Sequence, residues 1–333
     1  MVTIKDVAKK ASVSIATVSA VINSNKFVSV ELKQRVELAI NELGYRPNRI
    51  GRGLKKKETY LIGVVVTEIT NPFYPIMIKG IEDVAVANNY KLMLCTTDDN
   101  PHKEYELVQS MLEYGVDGVI LATVDNESAK SLDFLKREKI PLMLINRAPN
   151  RFDGGFVRIN SCKVGELATE FLIKSGHKDI VFIGGNRLNS SEREKGYKDT
   201  LIKYGLEVKE NNIIRSNYDV ESAYKDISQF VEKKKEIPTA IFAASDMIAF
   251  GAVKALLDHG YHIPKDVSII GSDNISFSKD FRIPLTTVDA KGYEIGKIGC
   301  EKLITKLEGK DSNKMVSCLL EPEIVIRDSH RSL

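Results

Sequence analysis

The sequence predicts a small all-α head followed by a larger α/β body of two doubly wound parallel-sheet subdomains. The first 58 residues carry short apolar stripes at helical spacing and no strand pattern. From residue 60, short apolar strands alternate with helices, and the alternation restarts near residue 156. Such alternation is typical of parallel sheets joined by right-handed crossovers, and two runs of it indicate two subdomains.

The first two helices of the head have recognisable starts. Thr3 and Asp6 have the spacing of a capping box, in which a hydroxyl and a carboxylate satisfy amides at a helix start. The helix that follows is predicted over 4–11. Ser14 comes after a break in the pattern and can cap a second helix, 15–22. Two short helices joined by so tight a turn indicate a helix-turn-helix, with a third helix as support.

A third helix and a basic segment complete the head. Ser29 can cap a helix that reaches Leu43, and Gly44 is typical of the residue that ends a helix. Residues 46–58 then change character, because they contain a proline, two glycines and six basic residues. Composition alone leaves open whether this stretch is a linker or a functional segment.

The body elements follow from apolar runs separated by turn residues. Strands are predicted at 60–66, 91–97, 117–123, 140–146, 156–159, 179–184, 212–216, 239–244 and 266–272. Helices are predicted at 71–89, 102–114, 128–137, 161–175, 191–204, 219–235 and 245–259. The tail adds a helix at 292–308 and strands near 316–320 and 324–327, which is enough chain to cross back between the subdomains. Since open parallel sheets bind ligands at the carboxyl ends of their strands, we expect the site in the cleft between the two sheets.

Composition excludes several classes of protein. The 333 residues are 43% hydrophobic and 28% charged, which fits two or three folded domains and excludes wholesale disorder. The sequence contains no run of 18 apolar residues, so it predicts no membrane helix. The first 20 residues lack the apolar core of a secretory signal. We therefore expect a cytoplasmic protein without a membrane partner. The four scattered cysteines predict neither a disulfide framework nor a zinc site.

The net charge of +3 is a sum over two unlike parts of the chain. Residues 1–58 hold 12 Lys and Arg against 5 Asp and Glu, which is a net charge of +7. The other 275 residues hold 36 basic and 40 acidic groups, which is a net charge of −4. A basic head on a mildly acidic body indicates a polyanion partner for the head alone.

Several motifs spread over the whole chain match one family pattern. They are TIKDVAKKASVSIATVSAVIN (3–23), YRPNRIGRGLKKK (45–57), IGVVV (62–66), NPFYP (71–75), Asp246-x-x-Ala-x-Gly and Gly-Ser-Asp273-Asn. Together they resemble the lactose-repressor (LacI) family of bacterial transcription regulators. The resemblance implies a helix-turn-helix DNA-binding domain over 1–48, a hinge helix over 49–59 and a periplasmic-binding-protein-like body over 60–333. It also implies one body subdomain of 60–160 plus about 290–320, and another of 161–289 plus about 321–333.

The resemblance implies that the second helix of the head lies in the major groove of DNA, where all four base pairs can be distinguished. Ile15, Ala16 and Ala20 would face base edges. Ala20 stands where many relatives carry a basic or imidazole side chain, so a guanine contact is not expected there. In the hinge, Leu54 stands at the position of an apolar wedge that opens a base step in the minor groove. The expected DNA-binding residues are Ser14, Ile15, Ala16, Thr17, Ser19, Ala20, Asn23, Leu54 and Lys55.

The resemblance also implies a cleft for a small polar effector, which we expect to be a sugar or a sugar acid. Aromatic faces, guanidinium groups and carboxylates suit the CH faces and paired hydroxyls of a sugar. Asn146 and Asn160 replace carboxylates that many relatives carry, and the lost negative charge would admit an acidic sugar. The expected effector-binding residues are Phe73, Arg147, Arg193, Tyr218, Asp246 and Asp273, with Arg187 and Asn189 as weaker candidates.

Other functions have weaker support in the sequence. No nucleophile elbow, P-loop or dinucleotide motif occurs, and the pair His259 and His262 has no adjacent partner ligand. We therefore expect no enzyme, catalytic residue, cofactor or metal site. A sugar-acting enzyme, and a regulator of the same family controlled by a phosphocarrier protein docked on the helix 292–308, are the alternatives. No leucine-heptad helix follows the last predicted strand, so we expect a homodimer that binds double-stranded operator DNA.

Overall fold

Three helices form the head in the computed structural model: α1 (Ile4–Ala11), α2 (Ile15–Asn23) and α3 (Val30–Leu43). The Oγ1 atom of Thr3 accepts a hydrogen bond from the amide of Asp6 at 3.4 Å. The Asp6 carboxylate accepts one from the amide of Thr3 at 2.8 Å. These two bonds confirm the predicted capping box at the start of the chain.

Arg35 ties the helices of the head together around a small apolar core. Its guanidinium donates to the carbonyl oxygen of Ala11 at 2.7 Å, which joins α3 to the end of α1. Gly44 ends α3 in the left-handed region, with a φ of 61°, as predicted for a C-cap glycine. The buried core residues are Val7, Ala8, Ala11, Val18, Val36 and Ala39.

The structure describes most of the chain, and the contacts separate two units. The described residues are 2–23, 26–45, 58–126, 129–149, 151–233, 237–309 and 317–333. The units are Met1–Thr59 and Tyr60–Leu333. Most of the predicted hinge helix, with Leu54 and Lys55, lies outside the described residues.

The body consists of alternating strands and helices. The strands are β1 (Leu61–Val66), β2 (Lys91–Thr96), β3 (Gly118–Leu121), β4 (Leu142–Ile145), β5 (Phe156–Ile159), β6 (Ile180–Gly184), β7 (Ile213–Arg215), β8 (Ala240–Ala243), β9 (Ser268–Asp273), β10 (Thr286–Asp289), β11 (Cys318–Leu320) and β12 (Glu323–Val325). The helices are α4 (Phe73–Ala87), α5 (Pro101–Glu113), α6 (Lys130–Arg137), α7 (Ser161–Lys174), α8 (Leu188–Lys203), α9 (Val220–Lys233), α10 (Asp246–Asp258) and α11 (Gly292–Leu307). Within the described ranges, none of the helices has the length and apolar content needed to cross a membrane.

The strands form two six-stranded sheets, one in each lobe of the body. The first lobe has the strand order β11-β5-β4-β3-β1-β2, and its neighbouring strands are parallel. The second lobe has the order β12-β10-β9-β8-β6-β7, in which β10 and β12 are antiparallel. Helices α4, α5, α6 and α11 belong to the first lobe, and α7 to α10 to the second. The predicted pair of doubly wound sheets is thereby confirmed.

The chain passes between the two lobes three times. β5 leads into α7 through residue 160, β10 leads back to α11 through residues 290–291, and β11 leads to β12 through residues 321–322. The first lobe is therefore completed by residues that follow the second lobe in the sequence.

Two elements differ from the sequence prediction. β10 is not predicted, because its four residues Thr-Thr-Val-Asp offer a single apolar side chain, yet both of its threonines are fully buried. α8 begins at Leu188, three residues before the predicted start. Its first turn contains Asn189 and Ser190, which are residue types common in loops, so the local pattern conceals the helix start.

Helices α4 and α11 approach each other so closely that their backbones meet at glycines. A Cβ atom on Gly80 would lie 2.2 Å from the carbonyl oxygen of Tyr293. A Cβ atom on Gly296 would lie 2.0 Å from the carbonyl oxygen of Met77. Both distances are inside van der Waals contact, so only a residue without a Cβ atom fits at either position.

We expect Gly80→Ala to destabilise the body by about 1–3 kcal/mol, because the added methyl group must push two helix backbones apart. The measurement is the midpoint of urea unfolding. Val86→Ala is the matched control, since Val86 lies on the same helix with 59% of its surface exposed, and this change should leave the midpoint almost unaltered. Equal midpoints for Gly80→Ala and the wild type would contradict the close helix contact.

Candidate functional site

Helix α2 presents part of the predicted DNA-reading surface. Ile15 and Ala16 are exposed, and 45% of the Ile15 surface is accessible. The Oγ atom of Ser14 accepts a hydrogen bond from the amide of Thr17 at 3.0 Å, which fixes the start of the helix. An exposed apolar pair at the start of a helix is available for contact with thymine methyl groups.

Three of the remaining predicted positions of α2, Thr17, Ser19 and Ala20, are less accessible. Thr17 and Ser19 are half-buried, and Asn23 is the last residue of the helix. Ala20 is only 9% exposed to solvent, so other residues of the head cover its methyl group. This burial argues against the predicted contact between Ala20 and a base edge.

Arg147 organises the edge of the first sheet at which the strands end. Its side chain is fully buried and follows β4. It donates hydrogen bonds to Thr67 Oγ1 at 2.6 Å, Asp99 Oδ1 at 3.0 Å, Asp125 Oδ2 at 2.6 Å and the carbonyl oxygen of Ala122 at 3.2 Å. Arg147 therefore holds two carboxylates in place, and its enclosure argues against the predicted direct contact with an effector.

The two carboxylates that pair with Arg147 have pKa values shifted in opposite directions. Burial raises the pKa of Asp99, but the guanidinium groups of Arg147 and Arg187 outweigh it and lower that pKa below its usual range. Burial dominates at Asp125 and raises its pKa, although Arg147 opposes the shift. As the pH falls, Asp99 therefore stays ionised to a lower pH than Asp125 does.

Arg187 reaches from the second lobe to the first. It immediately precedes α8, and its guanidinium contacts Glu68 Oε1 at 3.0 Å and Asp99 Oδ2 at 2.7 Å. The same guanidinium lies 4.0 Å from the centre of the Tyr218 ring. Arg187 thus spans the cleft, by which we mean the space between the carboxyl ends of the two sheets. It also covers the Tyr218 face on which a sugar ring was expected to stack.

Two further contacts join the lobes. The amide of Leu188 donates to Asp125 Oδ1 at 3.2 Å. Arg158 of the first lobe contacts Glu192 of the second at 2.8 Å, and their side chains are 13% and 18% exposed. The lobes are therefore joined by polar contacts at both the loop before α8 and the face of that helix.

Arg193 lies on the part of the second lobe that borders the cleft, which we call the wall. Its side chain is 2% exposed, donates to the carbonyl oxygen of Ala244 and lies 3.5 Å from Asp273 Oδ1. Burial raises the pKa of Asp273 to about 7, although Arg193 lowers it. The Nε atom of Arg193 and the Oδ1 atom of Asn189 are buried without a hydrogen-bond partner among the described residues. Because such atoms are costly to leave unpaired, they indicate a place for a polar ligand.

Phe73 and Tyr218 lie on different sides of the cleft. Phe73 begins α4 in the first lobe, is 5% exposed, and lines an opening of about 180 Å³ with Asp273 and Gly292. Tyr218 follows β7 in the second lobe and lies beneath Arg187. The structure therefore brings Phe73 and Asp273 to one opening, which Tyr218 does not line.

Asp246 has a different role from the one predicted. Its carboxylate is completely buried and accepts hydrogen bonds from Ile275 N at 3.0 Å, Ser278 Oγ at 2.6 Å and Thr287 Oγ1 at 2.5 Å. These bonds attach the loop after β9 and strand β10 to the start of α10. The prediction that Asp246 binds the effector is therefore corrected to a role inside the second lobe.

Asn146 and Asn160 stand where many relatives carry carboxylates, and the structure shows a role for one of them. Asn160 Oδ1 accepts a hydrogen bond from the amide of Lys163 at 3.1 Å and caps α7. Asn146 is 3% exposed and adopts the left-handed conformation with a φ of 63°. Asn160 thus acts as a helix cap, which weakens the expectation of an acidic sugar that rested on both positions.

Three carboxylates of the site were missed in the sequence. Glu68, Asp99 and Asp125 follow β1, β2 and β3 at the edge where the first sheet meets the second lobe. Their position directly after strands is the signal that identifies them, because parallel strands bring such residues to one edge.

We expect Asp273→Asn to flatten the pH dependence of stability between about pH 4 and pH 7. The pKa of Asp273 is about 7 in the folded chain against a usual value of 3.8. The folded chain therefore binds more protons in this window, and the wild type loses the corresponding stability as the pH rises through it. The measurement is the melting temperature across this range. Asp199→Asn, at an exposed carboxylate of α8, is the control, and identical slopes for Asp273→Asn and the wild type would contradict the assignment.

Comparison with known proteins places both units of the chain in one family. The family model described as "Bacterial regulatory proteins, lacI family" matches residues 3–48. The model described as "Periplasmic binding proteins and sugar binding domain of LacI family" matches residues 59–319. The matched ranges cover the head and nearly all of the body.

Individual relatives agree with the family models. Catabolite control protein A of Priestia megaterium is 36% identical over 314 residues, which are 93% of this chain and 94% of that protein. The HTH-type transcriptional repressor PurR of Vibrio atlanticus (strain LGP32) is 36% identical over 337 residues, with 100% of both chains covered. A solved complex of the transcriptional regulator CelR with cellobiose has a TM-score of 0.75 and 26% identity over 99% of this chain and 100% of that chain. The chain belongs to the LacI family of bacterial regulatory proteins and is a DNA-binding transcriptional regulator with an effector-binding body.

Proposed function

We propose that the chain is a repressor whose affinity for operator DNA is set by a carbohydrate bound between the two lobes. The observation that carries the proposal is that two polar atoms on helix α8 of the second lobe, Arg193 Nε and Asn189 Oδ1, are buried without a hydrogen-bond partner among the described residues. One atom needs an acceptor and the other needs a donor. A hydroxyl both donates and accepts hydrogen bonds, so a ligand with several hydroxyls offers a partner to each of these atoms.

The rest of the cleft supports the same class of ligand. Asp273 is a buried carboxyl beside Arg193 and accepts hydroxyl protons when it is ionised. Phe73 offers an apolar surface on the opening that Asp273 also lines. A sugar acid is the second candidate within this class. To pair with Arg187 or Arg193, its carboxylate would have to displace the acidic side chain that the arginine already contacts. The CelR relative was solved with cellobiose, which supports a carbohydrate.

Effector binding is coupled to DNA binding through the arrangement of the lobes. The hinge segment joins the head to Tyr60, at the start of the first lobe. An effector that prefers one lobe arrangement changes operator affinity by a coupling free energy of about 1–3 kcal/mol, and operator DNA changes effector affinity by the same factor. Within the hinge, we infer that Leu54 is the minor-groove wedge and Lys55 a phosphate contact.

The phosphocarrier-controlled alternative has less support from the surface of α11. The exposed residues of this helix include Lys297 and Lys306, but also Glu294 and Glu301. A phosphorylated partner needs a set of basic side chains that the two glutamates would oppose. The mixed charge of α11 therefore favours control by a small molecule.

An apolar surface on the second lobe supports a homodimer. Phe277 is 62% exposed. Next to it, Phe250 and Phe281 stack with their ring centres 4.2 Å apart. The three rings line an opening of about 380 Å³ together with Met247 and, from the first lobe, Pro72. Burying the Phe277 ring against a second copy of the chain would stabilise the two-fold arrangement that a palindromic operator requires.

A thermal-shift screen over neutral sugars, sugar acids and amino sugars tests the proposed effector class. A ligand of the folded state raises the melting temperature, and at 100 times its Kd it adds about 2.7 kcal/mol of stability. We expect a saturable shift with at least one sugar, and recovery of that sugar unchanged, which separates a regulator from a sugar-acting enzyme.

Two substitutions locate the ligand in that screen. Arg193→Gln and Asn189→Ala should each weaken the shift, because each removes one unpaired atom from the wall. Arg137→Gln, at an exposed arginine of the first lobe, is the matched control and should leave the shift intact. A screen in which no carbohydrate shifts the wild type, or in which both wall variants bind like the wild type, would refute the proposal.

We expect Phe277→Asp to dissociate the dimer, because the charge would be buried without a partner at the contact. Sedimentation velocity on the full chain measures the change. Tyr114→Asp is the matched control, since Tyr114 is an aromatic residue of the first lobe with 70% of its surface exposed, and it should leave the dimer intact. A wild type that sediments as a monomer, or a Phe277→Asp chain that stays dimeric, would contradict this surface.

A further inference from the structure

Arg187 is held in the cleft by three contacts at once. Its guanidinium pairs with Glu68 and Asp99 of the first lobe and stacks on the ring of Tyr218 in the second. Its side chain is 12% exposed, while those of Glu68 and Asp99 are 23% and 37% exposed. Ion pairs and cation–π contacts strengthen as water is excluded, so this arrangement is stronger than an exposed surface pair. One side chain of the second lobe thus anchors that lobe to the first.

The amide of Leu188 depends on the same closed arrangement. Leu188 is the first residue of α8, where an amide has no acceptor within its own helix. Its acceptor is Asp125 Oδ1, at 3.2 Å across the cleft. If the lobes separate, this amide loses its partner while the helix itself stays intact. Leu188 therefore reports whether the cleft is closed.

We propose that Arg187 is a built-in ligand of the cleft, which holds the two lobes together without an effector and must be displaced before one binds. Its guanidinium occupies the face of Tyr218 and the carboxylates of Glu68 and Asp99, which are groups that a sugar would use for stacking and for hydroxyl contacts. An effector that binds through these groups must therefore displace Arg187 from them. The inference rests on the proposed function only for the location of the effector, because the contacts join the lobes whatever the ligand is.

A simpler role for Arg187 would be that of an ordinary effector contact. In that case Arg187 would contribute nothing to closure, and changing Glu68 would not alter the lobe arrangement. Glu68→Gln separates the two roles, because it leaves Arg187 in place and removes one of the two carboxylate charges, those of Glu68 and Asp99, that draw it across the cleft. The side chain keeps its size, so packing around residue 68 changes little.

Hydrogen exchange at Leu188 in the full chain, without added sugar, is the first test. We expect the amide to exchange about ten-fold faster in Glu68→Gln and in Arg187→Met, after correction for intrinsic rates, with amides inside α8 unchanged. Lys195→Met is the matched control, because Lys195 lies on the same helix and pairs with Asp199 at an exposed site. Wild-type protection of Leu188 in both Glu68→Gln and Arg187→Met would overturn the proposal.

Chemical rescue is the second test, with ethylguanidinium as the probe. Arg187→Ala should leave a space between Glu68, Asp99 and Tyr218 that ethylguanidinium fills, and millimolar concentrations should raise the melting temperature saturably. The wild type should show no such rise, and neither should Arg187→Ala with tetramethylammonium. The double variant Glu68→Gln/Arg187→Ala keeps Asp99 and Tyr218 but lacks the Glu68 charge, so its rise should be smaller. Equal responses of the wild type and Arg187→Ala would overturn the proposal.

The outcomes of these tests are independent of the sugar screen. A failed screen with fast exchange at Leu188 in the two variants would refute the carbohydrate and keep the built-in ligand. A successful screen with unchanged exchange would keep the carbohydrate and refute the built-in ligand.

Discussion

A buried guanidinium must be paired, and that requirement at Arg147 shapes the sensor body. A cation removed from water is costly unless acceptors surround it, and Arg147 is enclosed by Asp99, Asp125 and neutral acceptors at the ends of three strands. Two acidic side chains are thereby fixed on the edge of the first sheet that meets the second lobe. Arg187 and the amide of Leu188 contact them from the other side. The contacts that Asp99 and Asp125 make across the cleft thus follow from the need to pair one arginine.

The division between head and body has a similar physical basis. The head has its own apolar core and carries the excess positive charge, so its attraction to DNA is long-range and decreases with salt. The body carries a net negative charge and uses its charged residues at short range, in buried pairs such as Arg193 with Asp273. A regulator needs both properties, and this chain keeps them in separate units.

Most of the fold was predictable from the sequence because local patterns dictate it. The capping box at Thr3 and the apolar strands depend on neighbours a few residues away, and they appear as expected. β10 was missed because its threonines become buried only through strands far away in the sequence. The site was predicted less well for the same reason. Asp246 has the residue type of a ligand, but its three hydrogen-bond donors lie about thirty to forty residues away in the sequence. Arg187 was only a weaker candidate because its partners, Glu68 and Asp99, are still more distant in the chain.

The three passages of the chain between the lobes determine the order in which the protein can be completed during synthesis. The head consists of the first residues and can fold as soon as they leave the ribosome. The first lobe cannot, because α11 and β11 belong to its sheet and helix layers but are made after the whole second lobe. Until then, strand β5 has an unpaired edge. A nascent chain therefore carries a finished DNA-binding head before its sensor body is complete.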